Sequence, residues 1–143
     1  MPAVKKYPIS IHGKVIKGSR YGRKIGFPTI NLDRRQFLRL KNPPAFGVYS
    51  GNAMVMERSY SAGIVIGPTD KKGLPKIEAH LIGFSGNAYG KTVSLQILAF
   101  MRKFRKFKNE EALMGQISRD IKHISKCKHV YRHNQKNWEN KKR

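Results

Sequence analysis

The chain has 143 residues, a length that fits one domain built around a single hydrophobic core. Its 30 Lys and Arg residues far outnumber its 8 Asp and Glu residues, and the formal charge of +22 predicts a surface that attracts polyanions. Hydrophobic residues make up 39% of the sequence and are spread along it, which excludes a chain that is disordered throughout. No apolar run has the length of a membrane span or of a secretion signal, and the single cysteine, Cys127, cannot form an internal disulfide. We therefore expect a monomeric cytoplasmic protein without a membrane segment.

Short stretches that alternate apolar and polar residues or are rich in β-forming residues, with glycines between them, predict a series of strands. The stretches cover residues 9–16, 47–56, 60–66, 77–84 and 92–100. The second and third are joined by the short polar link Glu57, Arg58 and Ser59, which indicates a hairpin. Many short strands in sequence predict a small barrel or sandwich.

The pattern changes after Phe107, where a single helix is predicted. Asn109 is a favourable N-cap, and the carboxylates that follow it suit the positive end of a helix dipole. Apolar residues then recur at spacings of four, four and three, at Leu113, Ile117, Ile121 and Ile124. We expect this helix to close over the strands, so that residues 1–127 form one barrel-plus-helix domain.

Residues 128–143 form a basic segment in which six Lys and Arg residues accompany one acid, Glu139. Its composition predicts a flexible tail that binds polyanions without specificity.

A basic segment that contains three glycines precedes an extended segment with two candidate metal ligands. Gly18, Gly22 and Gly26 lie among cationic residues and predict a mobile, positively charged loop. After Pro28, Thr29 and Asn31 share one face of an extended segment. Two neutral oxygen ligands on one face suit Mg²⁺ bound together with a phosphorylated substrate. The alternative is a Thr and an Asn on the solvated face of an ordinary strand.

Only two carboxylates, Asp33 and Glu78, remain as general-base candidates once those of the predicted helix, tail, hairpin and surface loop are set aside. Glu78 shares a strand face with His80, opposite the apolar Ile77 and Ala79. A carboxylate in that position is a candidate base, and a cross-strand ion pair with a neighbouring cation is the alternative.

Taken in order, these segments resemble the riboflavin kinase family. The resemblance spans residues 9–125 and rests on GKVIKGSRYGRKIGFPTINL, GVYSG, IEAHLIGF, YGKTVSLQILAFMRKFRKF and LMGQISRDI. It implies a mainly β fold, a six-stranded antiparallel Greek-key barrel closed by a C-terminal α-helix. It also implies transfer of the ATP γ-phosphate to the ribityl 5′-hydroxyl of riboflavin, with Mg²⁺, to give FMN and ADP. Because no nucleotidyl-transfer domain accompanies these motifs, we expect no FAD synthesis by this chain alone.

The resemblance also assigns roles to individual positions. Glu78 corresponds to the base, and Thr29 and Asn31 correspond to the metal and phosphate ligands. The remaining positions correspond to contacts with the nucleotide (Gly18, Arg23, Leu81, Gly83 and Tyr89) and with the flavin (Arg102). The chain departs from the family at Phe104, where a glutamate is usual. Two alternatives stay open: a basic barrel that binds RNA or DNA, and a kinase-like module without activity.

Overall fold

A computed structural model describes residues 7–18 and 21–127 and shows a closed barrel of six antiparallel strands. The strands are β1 (Ile9–Ile16), β2 (Ile30–Leu32), β3 (Gly47–Val55), β4 (Arg58–Thr69), β5 (Pro75–Leu81) and β6 (Thr92–Arg102). The described residues also contain two α-helices, α1 (Tyr21–Lys24) and α2 (Glu110–Lys126), and a 3₁₀ helix over Arg34–Arg39. The predicted tail, residues 128–143, lies outside the described residues.

The strands follow each other around the barrel in the order β1, β2, β5, β4, β3, β6, and β6 closes the barrel against β1. Strands β3, β4 and β5 form a meander, and β6 returns to pair with β3 on its free side. Three consecutive strands with the fourth beside the first define a Greek key. The predicted fold class is therefore confirmed.

The core fills the barrel because alternate residues of each strand point inward. In β1, Ile11, Gly13 and Val15 are buried while the residues that alternate with them are exposed, and β5 and β6 repeat the inward alternation with Ile77, Ala79 and Leu95. The alternation that predicted the strands is thus also what supplies the core.

The β3–β4 hairpin has a shorter turn than predicted. Val55 pairs with Arg58, so that only Met56 and Glu57 form the turn, and both have positive φ angles (48° and 67°). This is the backbone of the two-residue turns that match the twist of hairpin strands. Arg58, predicted to belong to the link, is the first residue of β4.

Two further predictions needed correction. The segment predicted to be a mobile loop contains the helical turn α1, and Ile25 after it is buried. Strand β5 ends at Leu81 and does not reach residue 84, because the chain turns at Gly83 with a φ of 83°. A residue with a Cβ rarely adopts this backbone conformation.

Helix α2 begins as predicted and packs across the outside of the barrel. The Asn109 side chain accepts a hydrogen bond of 2.8 Å from the Ala112 backbone N–H. Ile124 is buried against Gly63 of β4, where a Cβ would stand only 3.3 Å from the Ile124 Cδ1 atom. Within the described ranges, neither α-helix has the length and apolar character that a bilayer crossing requires.

Candidate active site

Two cavities open on opposite sides of a short stretch of chain, residues 27–29. The first, of about 700 Å³, lies among glycine-containing loops and is lined by Gly18, Arg23, Asn31, Leu81 and Tyr89. We call it the loop cavity. The second, of about 420 Å³, lies between the barrel and α2, and we call it the helix cavity. Pro28 lines only the loop cavity, Phe27 lines only the helix cavity and Thr29 lines both, so residues 27–29 form a partition between them.

The pairing of β2 with β5 brings two of the predicted site residues together. Asn31 lies directly opposite Glu78 in the antiparallel register, and cross-strand partners share one face of a sheet. Asn31 lines the loop cavity and Glu78 lines the helix cavity, and both line a small cleft of about 100 Å³. A carboxylate and an amide oxygen therefore lie beside each other where the two cavities approach.

Gly18 lies close against the Asn31 side chain. A Cβ at position 18 would lie 2.1 Å from the Asn31 Nδ2 atom and 2.5 Å from its Cγ atom. A side chain at position 18 would therefore displace the Asn31 side chain, a predicted ligand, and a sequence pattern cannot reveal this contact.

Glu78 is partly buried, with 17% of its side chain exposed, and its Oε2 atom lies 3.5 Å from the Lys76 Nζ atom. Lys76 belongs to the same strand and lines the same cavity. The alternative interpretation of Glu78 was a cross-strand ion pair, whereas the ion pair present joins two residues of the same strand. It coexists with the position of Glu78 in the helix cavity and does not exclude a role as base.

Asp33, the other candidate base, has a different environment. Its carboxylate accepts hydrogen bonds of 3.0 and 3.1 Å from Arg35 Nε and caps the 3₁₀ helix through the Arg35 backbone N–H. These hydrogen bonds lower the pKa of Asp33 from its usual 3.8 to about 2. A carboxylate with so low a pKa is a weak base, and Asp33 lines neither cavity.

The other residues expected to hold a nucleotide lie mostly in the loop cavity. Arg23, Leu81 and Tyr89 line it, and the Lys17 ammonium stands 5.8 Å from the centre of the Tyr89 ring. Gly83 does not line it, although Leu81, two residues before it, and Phe84, directly after it, do.

Arg102 lines the helix cavity and is held by a carboxylate that the sequence analysis had left aside. Its Nη2 and Nε atoms donate hydrogen bonds of 2.9 and 3.1 Å to Asp120 Oδ2, and Gln116 Nε2 donates one of 2.9 Å to Asp120 Oδ1. Asp120 is buried, with 8% of the residue exposed. The sequence shows only that Gln116, Asp120 and Ile124 are spaced by four and so share a helix face, and it does not pair Asp120 with Arg102.

Aromatic and aliphatic side chains form most of the rest of the helix-cavity wall, which His80 and Arg105 also line. Phe107 stacks beneath two guanidinium groups, those of Arg102 at 5.9 Å and Arg105 at 4.8 Å from its ring centre. Phe104, where the resemblance described above implies a glutamate, also lines this cavity and is 42% exposed. An apolar cavity with a few fixed polar groups suits a flat, largely aromatic ligand.

The oxygen donors at the junction suit a hard cation. Thr29 and Asn31 offer a hydroxyl and an amide oxygen, and Glu78 lies opposite Asn31. Among the described residues, no three His, Cys, Asp or Glu side chains come together as a metal site. The donor set therefore suits Mg²⁺ that arrives with a substrate supplying further oxygens.

Two solved structures share the fold of this barrel. A Streptococcus pneumoniae protein described as a macrolide-efflux protein superimposes with a TM-score of 0.72 at 28% identity, over 82% of this chain and 38% of that one. The riboflavin kinase from Trypanosoma brucei superimposes with a TM-score of 0.64 over 86% of this chain and 81% of that one. At 23% identity the second comparison establishes the shared fold alone.

Sequence comparison then identifies the family. The flavokinase (riboflavin kinase) family model matches residues 5–128, and this chain belongs to that family. It is 37% identical over 119 residues to the RNA-binding riboflavin kinase RibR of Bacillus subtilis, covering 81% of this chain and 50% of that protein. It is 31% identical over 117 residues to the bifunctional riboflavin kinase/FMN adenylyltransferase of Escherichia coli K12, covering 80% of this chain and 36% of that protein. The chain thus spans half or less of the length of these curated relatives.

Proposed function

We propose that this chain is a riboflavin kinase that transfers the γ-phosphate of ATP to the ribityl 5′-hydroxyl of riboflavin, giving FMN and ADP. The observation that carries the proposal is the meeting of two cavities of unlike character at Thr29, Asn31 and Glu78. A phosphoryl donor in one cavity and an acceptor in the other would meet at that junction. Membership of the riboflavin kinase family supports the choice of donor and acceptor.

The nucleotide is assigned to the loop cavity. Its lining offers the cations Lys17 and Arg23 and the backbone of a glycine-containing turn, the groups that bind phosphates well. The exposed Tyr89 ring offers a flat surface for the base. Thr29 and Asn31 would hold Mg²⁺, which when bound supplies positive charge that stabilises the phosphates.

Riboflavin is assigned to the helix cavity. The apolar wall that includes Phe104 and Phe107 suits the isoalloxazine ring, and the fixed Arg102 guanidinium suits its carbonyl oxygens. This assignment directs the ribityl chain toward Glu78 at the junction. Glu78 then accepts the proton of the 5′-hydroxyl as the oxygen attacks the γ-phosphorus, a role worth on the order of 10²–10⁴ in rate.

The direct test is to incubate the chain with riboflavin, ATP and Mg²⁺ and to separate the flavins and nucleotides by chromatography. The proposal predicts FMN and ADP in equal amounts and no product when ATP or Mg²⁺ is omitted. Absence of FMN from a folded chain at saturating substrates would contradict the proposal and favour a kinase-like module without activity.

A further inference from the structure

His80 makes a hydrogen bond that the proposed mechanism does not yet use. It lies on β5 two residues after Glu78, and its Nδ1 atom is 2.7 Å from the backbone oxygen of Pro28. Because a carbonyl oxygen only accepts hydrogen bonds, the Nδ1 atom carries the proton and donates.

This hydrogen bond lies just beyond the last backbone pairing between β2 and β5. Strand β2 pairs with β5 through Ile30 with Ala79 and Asn31 with Glu78. Toward the start of β2 the next residues include Pro28, which has no backbone N–H to donate to a ladder. The His80 side chain binds the Pro28 carbonyl beyond the end of this pairing.

A second contact joins His80 to the same stretch of chain. The Phe27 ring meets the His80 ring edge to face, with centres 6.1 Å apart and planes at 81°. His80 therefore contacts both residues that precede Thr29. These three residues, 27–29, are the partition between the loop cavity and the helix cavity.

We propose that His80 is a positioning residue that fixes the partition against β5 and thereby holds Thr29 at the junction of the two cavities. The expected effect on kinetics rests on the proposed function. The expected effect on the structure of residues 27–29 rests on the contacts of His80 alone. Loss of the hydrogen bond frees the Pro28 carbonyl and lets Thr29 move. Nucleotide use then suffers, and because His80 and Phe27 also line the helix cavity, only the part of that cavity's wall formed by α2 stays in place.

Two amide substitutions separate this role from a direct contact with substrate. In His80→Asn the side-chain Nδ2 atom can occupy the position of Nδ1, so it can still donate to Pro28. In His80→Gln the amide reaches instead toward the position of Nε2. His80→Leu removes both donors and keeps bulk. His12→Leu is the matched control, because His12 also makes a 2.7 Å hydrogen bond through Nδ1, to Ser94 Oγ, and lines neither cavity.

Steady-state kinetics with riboflavin and MgATP give the first result. We expect His80→Leu and His80→Gln to raise KM for MgATP at least fivefold. We expect His80→Asn and His12→Leu to stay within twofold of the unsubstituted chain. If His80→Gln is as active as His80→Asn, or if both leave KM for MgATP unchanged, the proposal is wrong. That pair of variants decides the question even if His80→Leu does not fold.

Hydrogen exchange of the backbone amides in residues 27–31 gives a second result that needs no activity. We expect faster exchange there in His80→Gln than in His80→Asn, with unchanged exchange in α2. Equal exchange in the two variants would overturn the proposal. If the unsubstituted chain forms no FMN, the proposed function fails while this measurement still decides the role of His80.

Discussion

The loop cavity and the helix cavity are built in different ways. The loop cavity is lined largely by connecting segments, and the turn that bounds it uses glycines with positive φ, including Gly86 and Gly90. The helix cavity is lined by side chains from β3, β4, β5 and α2, elements that are distant in sequence. One cavity therefore depends on local backbone conformation and the other on tertiary packing.

This difference indicates which parts of the structure would recognise each ligand. Phosphate groups are bound by backbone amides and cations that a short segment can supply by itself. A flat apolar ring needs a wall of side chains, which only packed elements provide. The two cavities meet at the β2–β5 pair, and the strongest effects on turnover are expected there.

The largest effect is expected for Glu78→Gln. The amide keeps the size of the side chain but cannot accept the hydroxyl proton, so turnover should fall by on the order of 10²–10⁴. Binding of MgATP and riboflavin and the melting temperature should change little. Glu57→Gln, in the exposed β3–β4 turn, is the matched control and should keep full turnover. Near-normal turnover in Glu78→Gln, with a lower melting temperature, would identify Glu78 as only the ion-pair partner of Lys76.

A smaller effect, on riboflavin and not on MgATP, is expected for Asp120→Asn. The substitution removes the charge that holds Arg102 and leaves one amide N–H facing a donor, a cost of about 1.5–3 kcal/mol for hydrogen bonds to charged groups. KM for riboflavin should rise about tenfold, equivalent to about 1.4 kcal/mol, and KM for MgATP should stay within twofold. Glu111→Gln, an exposed carboxylate of the same helix, controls for the change in charge. Equal losses for both substrates would show that α2 does not serve the helix cavity alone.

An effect on MgATP and not on riboflavin is expected for Gly18→Ala. The added Cβ displaces the Asn31 side chain, which is the flexible partner in that contact. We expect KM for MgATP to rise several-fold, with riboflavin binding, measured by quenching of flavin fluorescence, unchanged. A change in riboflavin binding of the same size would argue against separate cavities.

The smallest effect is expected for Asp33→Asn, which lies outside both cavities. Because folding lowers the Asp33 pKa to about 2, the charged carboxylate stabilises the fold above pH 3.8 and loses that contribution as the pH falls toward 2. Asn retains the N-cap oxygen, and the substitution removes the charge and one of the two oxygens that accept hydrogen bonds from Arg35. The variant should melt slightly lower than the unsubstituted chain at pH 7, and the difference should vanish near pH 2, with turnover unchanged throughout. A difference that stays constant with pH would contradict this explanation.

The sequence predicted what depends on local pattern. Alternation in β1, β5 and β6 marks residues that face the barrel interior, and Asn109 marks the start of α2, so the fold class followed from periodicity together with the family resemblance. The 3₁₀ helix and α1 were missed, because short helical turns have no periodicity long enough to recognise.

The candidate site was predictable in part. Thr29, Asn31 and Glu78 stand out through their residue types and their strand faces, and the β2–β5 pairing brings Asn31 and Glu78 opposite each other. The Asp120 and Arg102 pair joins residues 18 positions apart on different elements, so only the folded structure reveals it. The role of His80 also depends on a contact with Pro28 across 52 positions, which sequence reasoning did not anticipate.

The assignment of one ligand to each cavity is tested most directly by a crystal structure of the chain with MgADP and riboflavin together. The account predicts ADP in the loop cavity beside Gly18 and Asn31, and the isoalloxazine ring in the helix cavity beside Phe104. It also predicts that the ribityl 5′-oxygen lies within hydrogen-bonding distance of a Glu78 carboxylate oxygen, about 2.6–3.2 Å. Both ligands in the same cavity, or a 5′-oxygen directed away from Glu78, would contradict it.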